Sequence, residues 1–130
     1  MKKLVVLLLL MVSTSVFAEW TEVGRNDDVG LTVYADFGTI KRKDHKVKMW
    51  KLYDYKTVKE SGVDRFLSSM DRDEYDCEEE TIGLFDWHWY SGNMAEGEIV
   101  RSNTNIKDAI QSVIPGSMGE TLFKIACGKK

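Results

Sequence analysis

The sequence predicts an α+β domain: an antiparallel β-sheet of about five to six strands, one packed C-terminal helix and one disulfide. Apolar and polar residues alternate with the period of a strand over much of residues 31–101. The period becomes helical over residues 117–127. The chain has only two cysteines, Cys77 and Cys127, and both follow a segment typical of exported proteins, in which disulfides persist.

Residues 1–18 have the pattern of a signal peptide. Lys2 and Lys3 precede an apolar run from Leu4 to Val12, and Val16-Phe17-Ala18 has the small-x-small form of a cleavage site. The apolar run is shorter than the roughly 20 residues that a membrane-spanning helix needs. We therefore expect cleavage after Ala18, a mature domain of residues 19–130, and export to the periplasm, the cell surface or the medium.

Five segments alternate as β-strands do: 31–35, 47–55, 65–77, 81–90 and 98–101. In the first, Leu31, Val33 and Ala35 share one face. In the second, one face carries Val47, Met49, Tyr53 and Tyr55, interrupted by Lys51, and the other carries Trp50 and Leu52. In the fourth, strict alternation groups Phe85 with Trp87 and Trp89, opposite Asp86, His88 and Tyr90. Short connections between consecutive strands favour antiparallel pairing.

The C-terminal region changes to helical spacing. Ala109–Ile114 predicts a short helical stretch that Pro115-Gly116 ends. Ser117 and Glu120 form a capping box, in which each side chain accepts a hydrogen bond from the other residue's backbone N–H. The helix that follows has apolar residues at Met118, Leu122 and Ile125, and Gly128 is placed to end it. We expect this helix to cover the apolar face of the sheet.

Two cysteines allow a single pairing, Cys77 with Cys127. The chain has no Cys-x-x-Cys motif, and neither His45 nor His88 lies at ligand spacing to a cysteine, which disfavours a redox or metal site. A disulfide that closes a loop of this length stabilises a fold by about 4 kcal/mol in the chain-entropy model.

The formal net charge is -3 at pH 7, which disfavours general binding to nucleic acids or anionic membranes. The sequence has no Gly-rich phosphate loop, His-Glu-x-x-His or Gly-x-Ser-x-Gly motif. Asp86 and His88 are two residues apart on a strand, too far for a direct hydrogen bond between their side chains. We therefore predict a non-enzymatic protein without a cofactor.

A basic segment at residues 41–51 is the leading candidate for a binding surface. Its six cationic residues, Lys41, Arg42, Lys43, Lys46, Lys48 and Lys51, would form a positive patch on an acidic protein. The competing interpretation is a charged turn that protects a strand edge from pairing with another chain. The acidic run at residues 71–80 lacks the spacing of a calcium loop, and we expect it to complement the basic segment within the chain or across a dimer.

His88 lies among aromatic residues and is an alternative candidate as an axial haem ligand. That hypothesis predicts a periplasmic carrier of haem or another small apolar ligand. A structural envelope protein is a third alternative. Trp20, Trp50, Trp87 and Trp89 are expected to be core or interface anchors rather than a cofactor site.

Several fragments in order along the chain resemble the surface-adhesin protein E-like family of Gram-negative bacteria. They are Glu19-Trp20, residues 33–40, residues 47–55, Ser68-Ser69, Asp76-Cys77, Tyr90-Ser91-Gly92 with Met94, Gly97 and Val100, Ile114-Pro115-Gly116-Ser117, and Ala126-Cys127. The resemblance implies an exported binding module with a small antiparallel sheet and a helix, often dimeric. It also implies binding to host extracellular-matrix or plasma proteins of the laminin, vitronectin and plasminogen type, and an association with haem.

Overall fold

The structure is a computed structural model that describes residues 18–104, 106 and 109–128. The predicted signal peptide, apart from Ala18, lies outside the described residues. The strands are β1 (Thr21–Asn26), β2 (Leu31–Lys43), β3 (Lys46–Ser61), β4 (Asp64–Asp76), β5 (Thr81–Tyr90), β6 (Ile99–Asn103) and β7 (Ile110–Ser112), and the helix is α1 (Met118–Cys127). The predicted fold class, an antiparallel sheet with one C-terminal helix, is confirmed.

The strands β1 to β6 pair in sequence order as an antiparallel meander, and β7 pairs with β5 beside β6. Along β5, β6 pairs with residues 87–90 and β7 with residues 81–83. The helical stretch predicted at residues 109–114 is therefore wrong, because Ile110–Ser112 forms a strand. The apolar residues of this segment have helical spacing, but its backbone pairs with the start of β5 instead. Strand β1, which has little alternation, was not predicted.

The core lies between α1 and one face of the sheet, which we call the helix-covered face. Its buried residues are Val33, Ala35, Val47, Met49, Tyr75, Ile82, Leu122 and Ala126. The alternation predicted for β2 and β3 is confirmed, since Val33, Ala35, Val47 and Met49 all belong to this cluster. The opposite side, which we call the open face, carries Lys48, Trp50, Arg72, Phe85, Asp86 and His88.

A β-bulge in β5 changes the predicted grouping of its aromatic residues. Arg72 pairs with Asp86, whereas the next residue, Asp73, pairs with Leu84, so Phe85 is the extra residue. The ring of Phe85 therefore lies beside Lys48 and Arg72 on the open face. The prediction that Phe85 shares a face with Trp87 and Trp89 is wrong, because strict alternation does not hold across a bulge.

Both ends of α1 are fixed by local contacts. At its start, the hydroxyl oxygen of Ser117 accepts a hydrogen bond from the N–H of Glu120 at 3.2 Å. The carboxylate of Glu120 accepts from the N–H of Gly116 at 3.4 Å, one residue earlier than predicted. At its end, Gly128 has φ 77°, a conformation that favours glycine. The predicted Cys77–Cys127 disulfide is confirmed and joins the last residue of α1 to the end of β4.

Among the residues described, no helix has the length and apolar character required to cross a membrane.

Candidate functional site

The β2–β3 hairpin places four lysines on one side of the sheet. Lys41 pairs with Lys48 and Lys43 pairs with Lys46 in the strand register. Residues at directly paired positions point to the same face of an antiparallel sheet. These four side chains therefore lie together at one end of the open face, as the sequence suggested for the basic segment.

The other two cations of the predicted patch lie elsewhere. Arg42 points to the helix-covered side, where its Nη2 donates a hydrogen bond to the backbone oxygen of Cys127 at 2.9 Å. Lys51 also belongs to that side, and its side chain is only 12% exposed. The prediction that all six cations form one surface is therefore wrong for Arg42 and Lys51, because alternation along the strands divides them between the two faces.

Lys51 is part of a buried ion pair. Its Nζ lies 2.6 Å from Oδ2 of Asp73, a carboxylate that is 1% exposed. The hydroxyl of Tyr75 donates to the same carboxylate oxygen at 3.2 Å. Burial, the largest single effect, lowers the pKa of the Lys51 amine, but the charge of Asp73 together with Tyr53, Asp71 and the hydrogen bond to Asp73 outweighs it, and the pKa is raised. Lys51 therefore stays charged and stabilises the fold rather than an external contact.

Acidic residues at the end of β4 and just after it lie beside basic residues of the hairpin. The carboxylate of Glu74 lies 3.7 Å from Nζ of Lys46. The imidazole of His45 lies 3.5 Å from Asp76 and 3.6 Å from Glu78. These contacts fit the expectation that the acidic run complements the basic segment within the chain.

The turn after β4 is held by Asp76. Its Oδ1 accepts hydrogen bonds from the N–H groups of Glu79 at 2.9 Å and of Glu78 at 3.1 Å. These backbone donors lower the pKa of the Asp76 carboxyl. The Asp76 carboxylate therefore holds the turn and also lies beside His45.

Three lysines of the hairpin form no ion pair among the described residues. In the described part of the chain, no carboxylate lies within 4 Å of the amines of Lys41, Lys43 or Lys48, whereas Lys46 and Lys51 are both paired. Lys41 and Lys43 are exposed, and Lys48 is half-buried with its Nζ 4.3 Å from the centre of the Phe85 ring. These three lysines are the members of the predicted patch on the open face that form no ion pair among the described residues.

Arg72 occupies the centre of the open face, and the sequence did not single it out. Its guanidinium carbon lies 5.5 Å from the centre of the Trp50 ring and 5.4 Å from that of Phe85. Its Nη2 is 2.6 Å from Oδ2 of Asp86 on the neighbouring strand. The signal in the sequence was a single arginine within an acidic run, but the partner is visible only in the register of β4 and β5.

His88, the alternative haem ligand, also lies on the open face. It pairs with Met70 in the register, and its ring centre is 5.8 Å from that of Trp50. The hypothesis of haem ligation stays a prediction. Within the described residues, no group of three or more His, Cys, Asp or Glu side chains is placed to hold a metal ion.

Two of the four tryptophans stack on each other on the side of the sheet that carries Asp71. The ring centres of Trp87 and Trp89 are 4.5 Å apart, and Phe66 stacks on Trp89 at 4.3 Å. Tyr55 meets Phe66 edge-on at 6.1 Å. Such rings cover each other's faces, which favours the interpretation of Trp87 and Trp89 as packing anchors.

A groove of about 770 Å³ runs beside the disulfide. Its walls include the charged or polar side chains of Arg42, His45, Glu78 and Lys124. Sites for flat apolar ligands are lined mainly by hydrophobic and aromatic side chains. This groove therefore gives no support to the carrier hypothesis.

Comparison with known proteins gives a consistent set of relatives. The family model described as surface-adhesin protein E matches residues 20–128. A crystal form of Haemophilus influenzae protein E has 14% identity and a TM-score of 0.63, with 88% of this chain and 91% of that chain covered. Protein E from non-typeable Haemophilus influenzae has 15% identity and a TM-score of 0.59, with 88% and 78% covered. At this identity the two structures show a shared fold. None of the curated proteins matches the chain.

Proposed function

This chain belongs to the surface-adhesin protein E family, and we propose that it is an exported, non-enzymatic module that binds other proteins. The family match covers residues 20–128 and thus the whole predicted mature domain except its ends. Membership of a surface-adhesin family implies export. The binding role, the surface location and the partner are the proposed part.

The observation that carries the proposal is the separation of paired from unpaired lysines. Lys51 forms an ion pair with Asp73 inside the fold, and Lys46 forms one with Glu74 at the surface. Lys41, Lys43 and Lys48 lie together on the open face with no carboxylate within 4 Å among the described residues. A domain of net negative charge that keeps such a cluster uncompensated offers a complementary surface to an acidic partner.

We propose host extracellular-matrix or plasma proteins of the laminin, vitronectin and plasminogen type as the partners. Contacts between exposed charges are screened at distances beyond about 8–10 Å at 0.1–0.15 M salt. Binding through these lysines should therefore weaken as salt rises, mainly through slower association.

A matched pair of variants tests the proposal. Replacing Lys41, Lys43 and Lys48 with Gln should weaken binding to immobilised laminin, vitronectin or plasminogen by about 3- to 150-fold, since each exposed charge contact is worth about 0.2–1 kcal/mol. The control replaces Lys56, Lys59 and Lys124 with Gln, which removes the same charge elsewhere. Equal losses in both variants would mean that net charge alone is responsible. Absence of binding by the parent protein would exclude these partners.

The surface location needs its own experiment. Protease treatment of intact cells should cleave a protein that is displayed outside and spare one that is confined to the periplasm. Protection from the protease, followed by release with the periplasmic fraction, would contradict the adhesin role.

A further inference from the structure

We propose that Arg72 is the central contact of the open face and that it takes a carboxylate side chain from an acidic segment of a partner protein. This inference rests on the proposed binding function, names the partner class for the same surface, and adds a residue outside the basic hairpin. Lys48 connects the two regions, because its amine lies over the same Phe85 ring that Arg72 contacts.

The position of Arg72 is fixed by two aromatic rings and by its ion pair with Asp86. Its guanidinium carbon is 5.5 Å from the centre of the Trp50 ring and 5.4 Å from that of Phe85. Cation–π contacts hold a planar guanidinium without using its N–H donors. The side chain is thus oriented in advance, and less freedom is lost when a ligand binds.

Part of the hydrogen-bonding capacity of Arg72 is unused among the described residues. A guanidinium has five N–H donors. Nη2 lies 2.6 Å from Asp86, and the buried Nε has no hydrogen-bond partner in the described part of the molecule. The side chain is 32% exposed, so solvent reaches part of it. Buried donors without partners are uncommon in native proteins and need an explanation, such as an ion or a water held beside them.

The charge around Arg72 favours an anion as that contact. The two carboxylates beside it, Asp86 and Glu74, already face Arg72 and Lys46. The amines of Lys41 and Lys48 lie on the same face without a described carboxylate within 4 Å, so an approaching carboxylate meets two further cations there. Arginine matches the planar geometry of a carboxylate better than lysine does, because two parallel N–H groups can engage both oxygens.

The neighbouring side chains match the composition of protein-binding surfaces. Arg72 is surrounded by Trp50, Phe85, His88 and Met70. All four side chains are half-buried, so part of each remains exposed to solvent. Tryptophan and arginine are enriched among residues that dominate protein–protein affinity, and aromatic residues and methionine are enriched at interface cores. Together with the charge, these rings favour an acidic segment that also carries an aromatic side chain.

The first test observes Arg72 in the unaltered exported protein by NMR. The probe is the peptide Ac-Glu-Glu-Phe-Glu-Glu-NH2, and its control is Ac-Gln-Gln-Phe-Gln-Gln-NH2. The Nε–H resonance of Arg72 should shift and saturate with the first peptide and not with the second. An unchanged resonance would overturn the proposal. A shift that depends on protein concentration without peptide would overturn it in favour of a second copy of this chain as the occupant.

The second test uses a conservative variant. Arg72→Lys keeps the charge that faces Asp86 but removes the planar fork, and it should weaken binding of the glutamate peptide at least tenfold. Arg65→Lys is the matched control, because Arg65 is an exposed arginine paired with Glu60 on the surface. Equal affinities of the two variants, with unchanged backbone amide spectra, would overturn the proposal. If the Lys41/Lys43/Lys48 variant loses affinity for host proteins and Arg72→Lys does not, the proposed function is supported and the role of Arg72 is overturned.

Discussion

The two faces of the sheet each contain a cation–carboxylate pair at the same distance, yet the pairs differ in what surrounds them. Lys51 and Asp73 on the helix-covered face, and Arg72 and Asp86 on the open face, are both separated by 2.6 Å. The cation is 12% exposed in the first pair and 32% exposed in the second. The role of such a pair is therefore decided by burial and by its further hydrogen-bond partners, not by its length.

The two ion pairs differ in these further hydrogen-bond partners. The Asp73 carboxylate also accepts a hydrogen bond from Tyr75, which completes a closed polar cluster in the core. Arg72 instead has a buried Nε that finds no partner in the described part of the chain, and it lies beside two aromatic rings. One face uses its charges to hold the fold together, while the other keeps a cation available for contact.

The largest effect is expected from removing the cation of the buried pair. Lys51→Met leaves the Asp73 charge unpaired in the core and should lower the free energy of unfolding by about 3–5 kcal/mol, measured by urea denaturation. Binding at the open face should be unchanged at temperatures where the variant remains folded. A loss of less than about 1 kcal/mol would mean that Asp73 is solvated or pairs elsewhere.

The control for that variant removes both charges. Lys51→Met with Asp73→Leu should recover most of the lost stability, because buried ion pairs are often replaceable by apolar residues of similar volume. If the lost stability is not recovered, the hydrogen bonds of the cluster, including that of Tyr75, stabilise the fold beyond the balance of the two charges.

The next largest effect is expected from removing the disulfide that joins α1 to the end of β4. Replacing both Cys77 and Cys127 with Ser should lower the free energy of unfolding by about 4 kcal/mol, since the unfolded chain regains the freedom of the closed loop. Reduction of the unaltered protein should give the same value in the same denaturation assay. If peptide binding at Arg72 falls in parallel while the protein is still folded, the two faces are not independent.

The smallest effect is a pH dependence within the helix-covered face. Burial raises the pKa of the Asp71 carboxyl, although Lys51 and a 2.6 Å hydrogen bond from the Ser69 hydroxyl oppose the shift. Because the folded pKa lies above the ordinary value of 3.8, Asp71 destabilises the fold increasingly as pH rises from that value to the raised pKa.

Asp71→Asn removes this titration and keeps an acceptor for Ser69. The stability difference between the variant and the parent should grow in favour of the variant across that pH interval and stay constant above it. Unfolding curves measured at several pH values would show this trend. A constant difference throughout would mean that Asp71 titrates normally.

The candidate site was only partly predictable from the sequence. The cluster of cations at residues 41–51 indicated a charged hairpin, and the structure keeps Lys41, Lys43 and Lys48 available. Arg42 and Lys51 were wrongly included because composition does not say which face each side chain takes. Arg72 was missed because its significance depends on Trp50, Phe85 and Asp86, which lie on other strands.

The sequence by itself determined the features that depend on near neighbours. The alternation of β2 and β3, the N-cap of α1 at Ser117 and the single possible cysteine pairing all follow from local spacing. Only the tertiary structure decided the bulge at Phe85, the strand at Ile110–Ser112 and the separation of buried from available charges. These features arise from the register between paired strands, where one extra residue reverses which face a side chain takes.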